Sequence, residues 1–346
     1  MKKNIYINKM INVEDSDETT RVRKRRKLSE DEVELAPEVH DIPSLIEIAQ
    51  RKVRYQNLDS ATLWKILPEL VKLNSMIGMH ELKHTLFYQI IYYLQNMHKK
   101  GENDYLHTVI TGPPGTGKTS VAEIIGKIYK NIGVLSNTGS FTIAKREDFI
   151  APYLGQTAIK TRVLLDSCIG GVLFIDEAYA LGPGQKDKDS FSKEAIDTLN
   201  AFLSEHKNDF CCIIAGYQED IEKCFFRINK GLERRFQWVH KIAHYNENEL
   251  AQIMKKMIKE AGWEINVSIS NLAEFIKTNS INFKNYGGDI ETFFSKCKMA
   301  HARRVFALEQ RHRFVLTITD LQTALELTNA NNLATVQEKP PFGMYL

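Results

Sequence analysis

Residues 111–120 read "TGPPGTGKTS". Gly112, Gly117, Lys118 and Thr119 satisfy the pattern G-x-x-x-x-G-K-[ST], with a further glycine at Gly115. The short apolar run "HTVIT" leads into the stretch and the helically spaced "SVAEIIGKIYK" leads out of it. A glycine-rich turn between a strand and a helix curls so that its backbone N–H groups face a phosphate, and the helix dipole adds to the attraction. Gly112, Pro113, Pro114, Gly115, Thr116, Gly117, Lys118, Thr119 and Ser120 are therefore the candidate phosphate-binding set. In this pattern the lysine reaches the β- and γ-phosphates and the threonine hydroxyl ligates Mg²⁺.

Working outward, "GVLFIDEAYAL" supplies the expected partner. Asp176 and Glu177 follow a continuous apolar run, so they emerge at the carboxyl end of a buried strand, where ligands of open α/β sheets sit. Asp176 is the second candidate Mg²⁺ ligand, and Glu177 is placed to polarise an attacking water. The bland reading is an acidic pair capping the next helix. Beside a phosphate loop, two acids imply hydrolysis of a nucleotide as well as binding.

The rest of the chain sets these motifs in an architecture. "HTVIT", "GVLFI", "CCIIA" and "WVHKI" are short apolar runs separated by helical stretches, the mark of a parallel sheet covered on both faces. An α/β nucleotide-binding domain is expected over residues 56–243. After about residue 244 "ENELAQIMKKMIKEAG" and "DIETFFSKCKMAHARRVFALEQ" have helical spacing only, so a smaller α-helical domain is expected over 244–335, with a tail over 336–346. Residues 1–55 alternate acidic runs with the basic stretch "RVRKRRK", from Arg21 to Lys27, and read as a disordered charged tail.

Composition bounds the function. The 346 residues are 43% hydrophobic and 26% charged, with a net charge of +3. That balance argues against wholesale binding to nucleic acid or membrane. No apolar run reaches the ~18 residues of a membrane span. The five cysteines form no C-x-x-C pair. An intracellular protein is expected, cytoplasmic, or nuclear if the basic cluster is a localisation signal.

Several motifs in order make the chain resemble an AAA+ ATPase, and more narrowly the CbbX/CfxQ and SpoVK-like group. The resemblance runs from about Leu73 to Arg304 and is carried by "LNSMIGMHELK", "GPPGTGKT", "YLGQTAIKT", "GGVLFIDEAYAL", "SKEAIDTLNAFLSEHKND", "IIAGYQEDI" and "NKGLERRF". It implies an AAA+ P-loop domain with a five-stranded αβα sheet, a helical lid, ATP and Mg²⁺ bound between them, and a homo-oligomeric ring, usually a hexamer. Arg235 best matches the arginine that a neighbouring subunit supplies to the phosphates, with Arg234 its competitor. Ile77 and Gly78 match the segment whose backbone packs near the adenine. Two features depart from the wider family. Tyr217 stands where many members have a sensing asparagine, with Gln218 the available polar contact. The lid segment "YGGDIETFF" lacks a sensing arginine, and Arg303 and Arg304 further on read as a solvated helix face.

Two stretches bear on what a ring would act upon. "APYLGQT" lies between the second strand and Asp176, where the resemblance places a central pore loop; Tyr153, Leu154 and Gly155 match its aromatic-aliphatic tip. The bland reading is a core tyrosine at a helix end. A motor that threads or remodels a protein substrate is the function expected. The alternative is a nucleic-acid-associated AAA+ ATPase of loader or packaging type, which the basic cluster favours. "HELKH" (His80, Glu81, His84) fits the zinc protease pattern H-E-x-x-H, but it falls inside "LNSMIGMHELK" and no third-ligand pattern follows.

Overall fold

A computed structural model describes residues 34–100, 105–136, 139–153, 155–182, 189–309 and 312–337. The basic cluster of residues 21–27 and the final "EKPPFGMYL" lie outside them.

Five strands form one parallel sheet: β1 (Thr108–Thr111), β2 (Phe141–Ala144), β3 (Val172–Ile175), β4 (Cys211–Gly216) and β5 (Trp238–Lys241), in the order β2-β3-β4-β1-β5. Burial on both faces explains the unbroken apolar runs of the central strands. Along β3, Val172 and Phe174 join one core while Leu173 and Ile175 join the other; on β4, Cys211, Ile213 and Ala215 alternate with Cys212 and Ile214 in the same way.

The first core is closed by α1 (Ile42–Gln50), α2 (Ser60–Asn74), α3 (His80–Leu94) and α4 (Lys118–Ile132). The second is closed by α5 (Arg146–Phe149), α6 (Thr157–Asp166) and α7 (Ser190–Glu205), with α8 (Gln218–Asp220) running into a π-helical turn (Ile221–Phe225), and α9 (Lys230–Glu233). Helix α1 corrects the expectation of a charged tail as far as residue 55. Ile42, Leu45, Ile46, Ile48 and Ala49 are buried, and Asp41 and Ser44 close a capping box. Burying each large aliphatic side chain is worth ~1.5–3 kcal/mol, enough to order a short helix that the adjoining charges disguise.

The helical unit comprises α10 (Glu247–Glu260), α11 (Ile269–Thr278), α12 (Gly287–Val305) and α13 (Ile318–Gln337), around its own core of Leu250, Met254, Leu272, Phe293 and Cys297. Strands do not cease after residue 244, as the spacing suggested: β6 (Glu264–Ile265) pairs in parallel with β7 (Val315–Leu316). Two residues each are too few to leave a periodic signal. Tyr245 packs against both this core and the first core of the sheet domain, so it sits at the hinge.

Candidate functional site: a phosphate cleft closed by the helical unit

A cleft of about 570 Å³ opens at the carboxyl end of the sheet, between the two units. The loop between β1 and α4 forms its floor. Gly115 (φ +68°) and Gly117 (φ +86°) both adopt the left-handed backbone that favours glycine, and Gly117 starts α4. Pro114 through Ser120 line the cleft. The two earlier loop residues anchor it: Thr116 Oγ1 donates to the Pro113 carbonyl at 2.8 Å, and Lys118 Nζ donates to the carbonyls of Pro113 (2.8 Å) and Gly112 (3.1 Å). Burial lowers the Lys118 pKa from its usual value, and the charges of Asp176 and Glu177 pull it back up.

Asp176 and Glu177 follow β3 directly and line the same cleft as Lys118 and Thr119. Asp176 Oδ1 accepts the Glu177 N–H at 3.0 Å. Glu177 holds a left-handed backbone (φ 51°, ψ 47°), unusual for a side chain with a Cβ and worth ~1–2 kcal/mol of strain. Strain of that kind gathers at functional sites. The hydroxyl of Thr119 and the carboxylate of Asp176 are hard oxygen donors, the set that suits Mg²⁺.

Tyr217 follows β4 directly and lines the cleft. Lys118 Nζ lies 5.9 Å from its ring centroid, a cation–π contact. Gln218 is turned to Glu222 instead, at 3.1 Å, and does not line the cleft. Tyr179, which the sequence reading left without a role, also lines the cleft; its ring centroid is 6.0 Å from that of Tyr217. Its phenol is pushed up to about 12, by burial first and then by the Glu177 carboxylate beside it. The only sequence signal was an aromatic residue two positions past the acidic pair.

The helical unit forms the roof. The Gly287 N–H donates to the Gly115 carbonyl at 3.0 Å, and the Tyr245 hydroxyl donates to the Thr116 carbonyl at 3.1 Å. A Cβ on Gly115 would lie 2.1 Å from the Asn285 carbonyl oxygen, so only glycine admits this approach. Ile77 lines the cleft with Met76 and Met79. Gly78 (φ +65°) instead abuts the hinge: a Cβ there would meet Glu249 Oε1 at 2.6 Å and the Tyr245 ring at 3.1 Å.

The remaining candidates fall away from the cleft. Arg235 is half-buried; its Nε donates to Ser204 Oγ at 2.7 Å and its Nη1 to the Gly231 carbonyl, while Arg234 is exposed. Arg304 is not part of a solvated face. It forms a two-pronged pair with buried Asp320, at 2.7 and 3.0 Å, and thereby ties α12 to α13; Arg303 is exposed. His80, Glu81 and His84 are exposed at the start of α3, with His84 stacked edge-on against Tyr88. Among the described residues no group of three or more His, Cys, Asp or Glu side chains gathers into a metal site. No described helix is long and apolar enough to cross a membrane.

"APYLGQT" joins α5 to α6. Ala151 and Thr157 are buried and tied together, the Ala151 N–H donating to Thr157 Oγ1 at 3.2 Å. Lys160 Nζ bonds back to the Glu147 and Ile150 carbonyls. Between these anchors Tyr153 is 69% exposed, which removes the reading of a core tyrosine. Gly155 is left-handed (φ +79°), and Leu154 lies outside the described residues.

Known proteins agree with this architecture. The model of the ATPase family associated with various cellular activities (AAA) matches residues 108–241. The cfxQ-like protein R730 of Acanthamoeba polyphaga mimivirus is 39% identical over 271 residues, covering 77% of this chain and 66% of that protein. Stage V sporulation protein K of Bacillus subtilis (strain 168) is 35% identical over 258 residues, covering 71% of this chain and 78% of that protein. The ESX-1 secretion system protein EccA1 of Mycobacterium leprae is 39% identical over 173 residues, but the chain spans only 30% of its length. Among solved structures, the FIGL-1 AAA domain in complex with ADP superposes with a TM-score of 0.54 at 17% identity, over 78% of this chain and 90% of that one. A Thermotoga maritima RuvB mutant superposes with a TM-score of 0.53 at 18% identity, over 74% and 72%. At such identities these likenesses speak for the fold alone. With the phosphate loop, the acidic strand end and the relatives in agreement, the chain belongs to the AAA ATPase family, in the company of the CfxQ homologues and stage V sporulation protein K, and is an ATP-hydrolysing enzyme.

Proposed function

We propose that the chain works as a homo-oligomeric ring, a hexamer, in which ATP turnover drives the Tyr153 loop to grip and thread or remodel a polypeptide. The observation that carries the reading is the Tyr153 loop: both ends are pinned in the core, while the aromatic tip is 69% exposed. Exposing an aromatic side chain from a rigid mount gives broad apolar contact area at low entropic cost, which is what a grip on arbitrary sequence needs.

In this reading the backbone N–H groups of Gly115 through Ser120 cradle the phosphates and Lys118 neutralises their charge. Met76, Ile77 and Met79 supply the apolar wall for the base. Thr119 and Asp176 would hold Mg²⁺. When bound, that ion offsets charge on the β- and γ-phosphate oxygens. Glu177 accepts the proton of the attacking water. Arg235 reaches the phosphates of the neighbouring subunit, its guanidinium oriented by Ser204. Closure is communicated through the contact of Gly287 with Gly115.

The test is Tyr153→Ala. The variant keeps its ATPase but loses ATP-dependent capture of an unfolded model polypeptide, such as reduced, alkylated casein. Capture that survives the substitution, or an ATPase that dies with it, overturns the reading. Salt separates the nucleic-acid alternative: counterion release makes nucleic-acid binding fall by orders of magnitude between low and moderate salt, whereas an apolar grip changes little.

A further inference from the structure

Strands β2 and β3 leave the sheet side by side. Ala144 pairs with Ile175, so Arg146 and Glu177 each stand two residues past the same level. The left-handed Glu177 turns the chain into a 3₁₀ turn (Ala178–Leu181) that ends at Gly182. Arg146 opens α5, the helix that leads to the Tyr153 loop. Its Nη1 reaches the Ala180 carbonyl at 2.7 Å and the Gly182 carbonyl at 3.3 Å. The same nitrogen lies 2.9 Å from Ser192 Oγ, and Nη2 pairs with the Asp189 carboxylate at 2.5 Å, both at the start of α7. Among the described residues no other side chain between 145 and 157 hydrogen-bonds to residues 177–182. From α5 the path to the loop is short. Phe149 is buried and its carbonyl accepts a hydrogen bond from Thr161 Oγ1 at 3.2 Å, two residues before Ala151 is held by Thr157.

We propose that Arg146 is a positioning residue that couples the nucleotide cleft to the grip: its guanidinium passes a displacement of the turn after Glu177 to α5, and so to the Tyr153 loop. The inference rests on the proposed function, in which ATP turnover moves that loop. Coupling needs an element with two arrangements. The left-handed Glu177 backbone is costly for a residue with a Cβ, so its turn has a less strained alternative to relax into. Arg146 does not line the cleft, so its bonds serve the frame around the nucleotide and not the nucleotide itself. A planar guanidinium grips in two directions at once, here toward the turn and toward α7, where the ammonium of lysine is a point charge on a flexible stem. Helix α5 has four residues, about one turn, so a shift at its first residue reaches Phe149 and Ile150 with little slack.

Amide hydrogen exchange of the full chain, read by mass spectrometry, tests the coupling. In the native chain the peptide spanning 150–156 should exchange at rates that differ about threefold or more between ADP and a non-hydrolysable ATP analogue. Arg146→Ala should abolish that difference, while the phosphate-loop peptide keeps its own nucleotide response and ADP affinity stays within about twofold. Arg146→Lys, with one ammonium in place of the fork, should give an intermediate response. Asp189→Ala is the matched control. It loses the same ion pair and the α7 cap besides, but leaves Arg146 on the Ala180 carbonyl. Arg146→Ala and Asp189→Ala should both melt earlier than the native chain, and of the two only Arg146→Ala should lose the loop response. If Arg146→Ala keeps the full loop response, or if both variants lose it in step with their stability, Arg146 only braces the fold and the inference is wrong. If the native chain itself shows no difference between the two nucleotides at 150–156, it is the proposed function that fails, and the coupling with it.

Discussion

Replacing Gly115 by alanine separates the roof of the cleft from its floor. Two costs arise. The first is the left-handed backbone at φ +68°, which costs a residue with a Cβ ~1–2 kcal/mol. The second is a collision: the new Cβ would sit 2.1 Å from the Asn285 carbonyl oxygen and 2.9 Å from the Gly288 nitrogen, both backbone atoms of the helical unit. To reach ordinary contact that segment must retreat by about 1 Å, and the Gly287 to Gly115 hydrogen bond breaks, a loss of ~1 kcal/mol. Displacing the roof residues above the phosphate loop costs a further ~1.4 kcal/mol or more of nucleotide affinity, so ADP binding should weaken by about tenfold or more. Gly133→Ala is the matched control. Its φ is +86° and a Cβ there meets nothing within 4 Å, so it carries the backbone strain without the collision. Fluorescent ADP titration and thermal melting of both variants provide the assay. Both should melt earlier, Gly115→Ala by more because it also loses the Gly287 hydrogen bond, and only Gly115→Ala should lose ADP affinity. Equal ADP affinity in the two variants would refute the argument that the helical unit seats directly on the phosphate loop.

Other outcomes follow from the same geometry. Glu177→Gln should bind ATP with near wild-type affinity and lose turnover by 100-fold or more, whereas Lys118→Ala should lose binding itself, as filter-binding and phosphate-release assays would show. Mixing Lys118→Ala with Arg235→Ala subunits should restore part of the ATPase that neither has alone, because one mixed interface then carries both groups; mixing with Arg234→Ala in its place should add nothing beyond that variant's own activity. Acid should destabilise the fold in a defined window. Burial holds the pKa of His107 down to about 4 and does the same for His240, against an ordinary value of 6.5. His107 is neutral, its Nδ1 accepting the Cys212 N–H. The unfolded chain takes up protons that the folded chain refuses, so stability is full above about pH 6.5, falls as pH drops, and levels off below about 4. The loss between pH 8 and 5 is on the order of 2 kcal/mol per histidine, and a urea midpoint that does not move over that range would contradict it.

How much was legible in the sequence depended on how local each signal was. The phosphate loop and the pair Asp176–Glu177 were readable because a strand, a turn and a helix leave their pattern within twenty residues. Helix α1 was hidden because Ile42, Leu45 and Ile46 follow a strongly charged run that dominated the reading, although Asp41, Pro43 and Ser44 carried a helix-start signature. The contact of Gly287 with Gly115 joins residues far apart in the chain, and no local pattern announces it. The same holds for Arg304, whose partner Asp320 lies on the next helix and turns an apparently solvated arginine into a structural one. Gly78 was read as part of the base site, yet its left-handed turn makes room for Glu249 of the hinge. Tyr179 stands in plain view within "FIDEAYAL", but a tyrosine near a strand end has no distinctive spacing until Gly216 is seen beneath it.

The central claim, that this ring grips a polypeptide through Tyr153, is tested most directly by a photoreactive benzoyl-phenylalanine at position 153 in the Glu177→Gln chain. With ATP and an unfolded model polypeptide, irradiation should join the polypeptide to the ring, and the crosslink should vanish with ADP or when the probe is moved to exposed Ile159 on α6. Crosslinking that is indifferent to nucleotide and position, or that captures single-stranded nucleic acid in preference to polypeptide, would contradict the account.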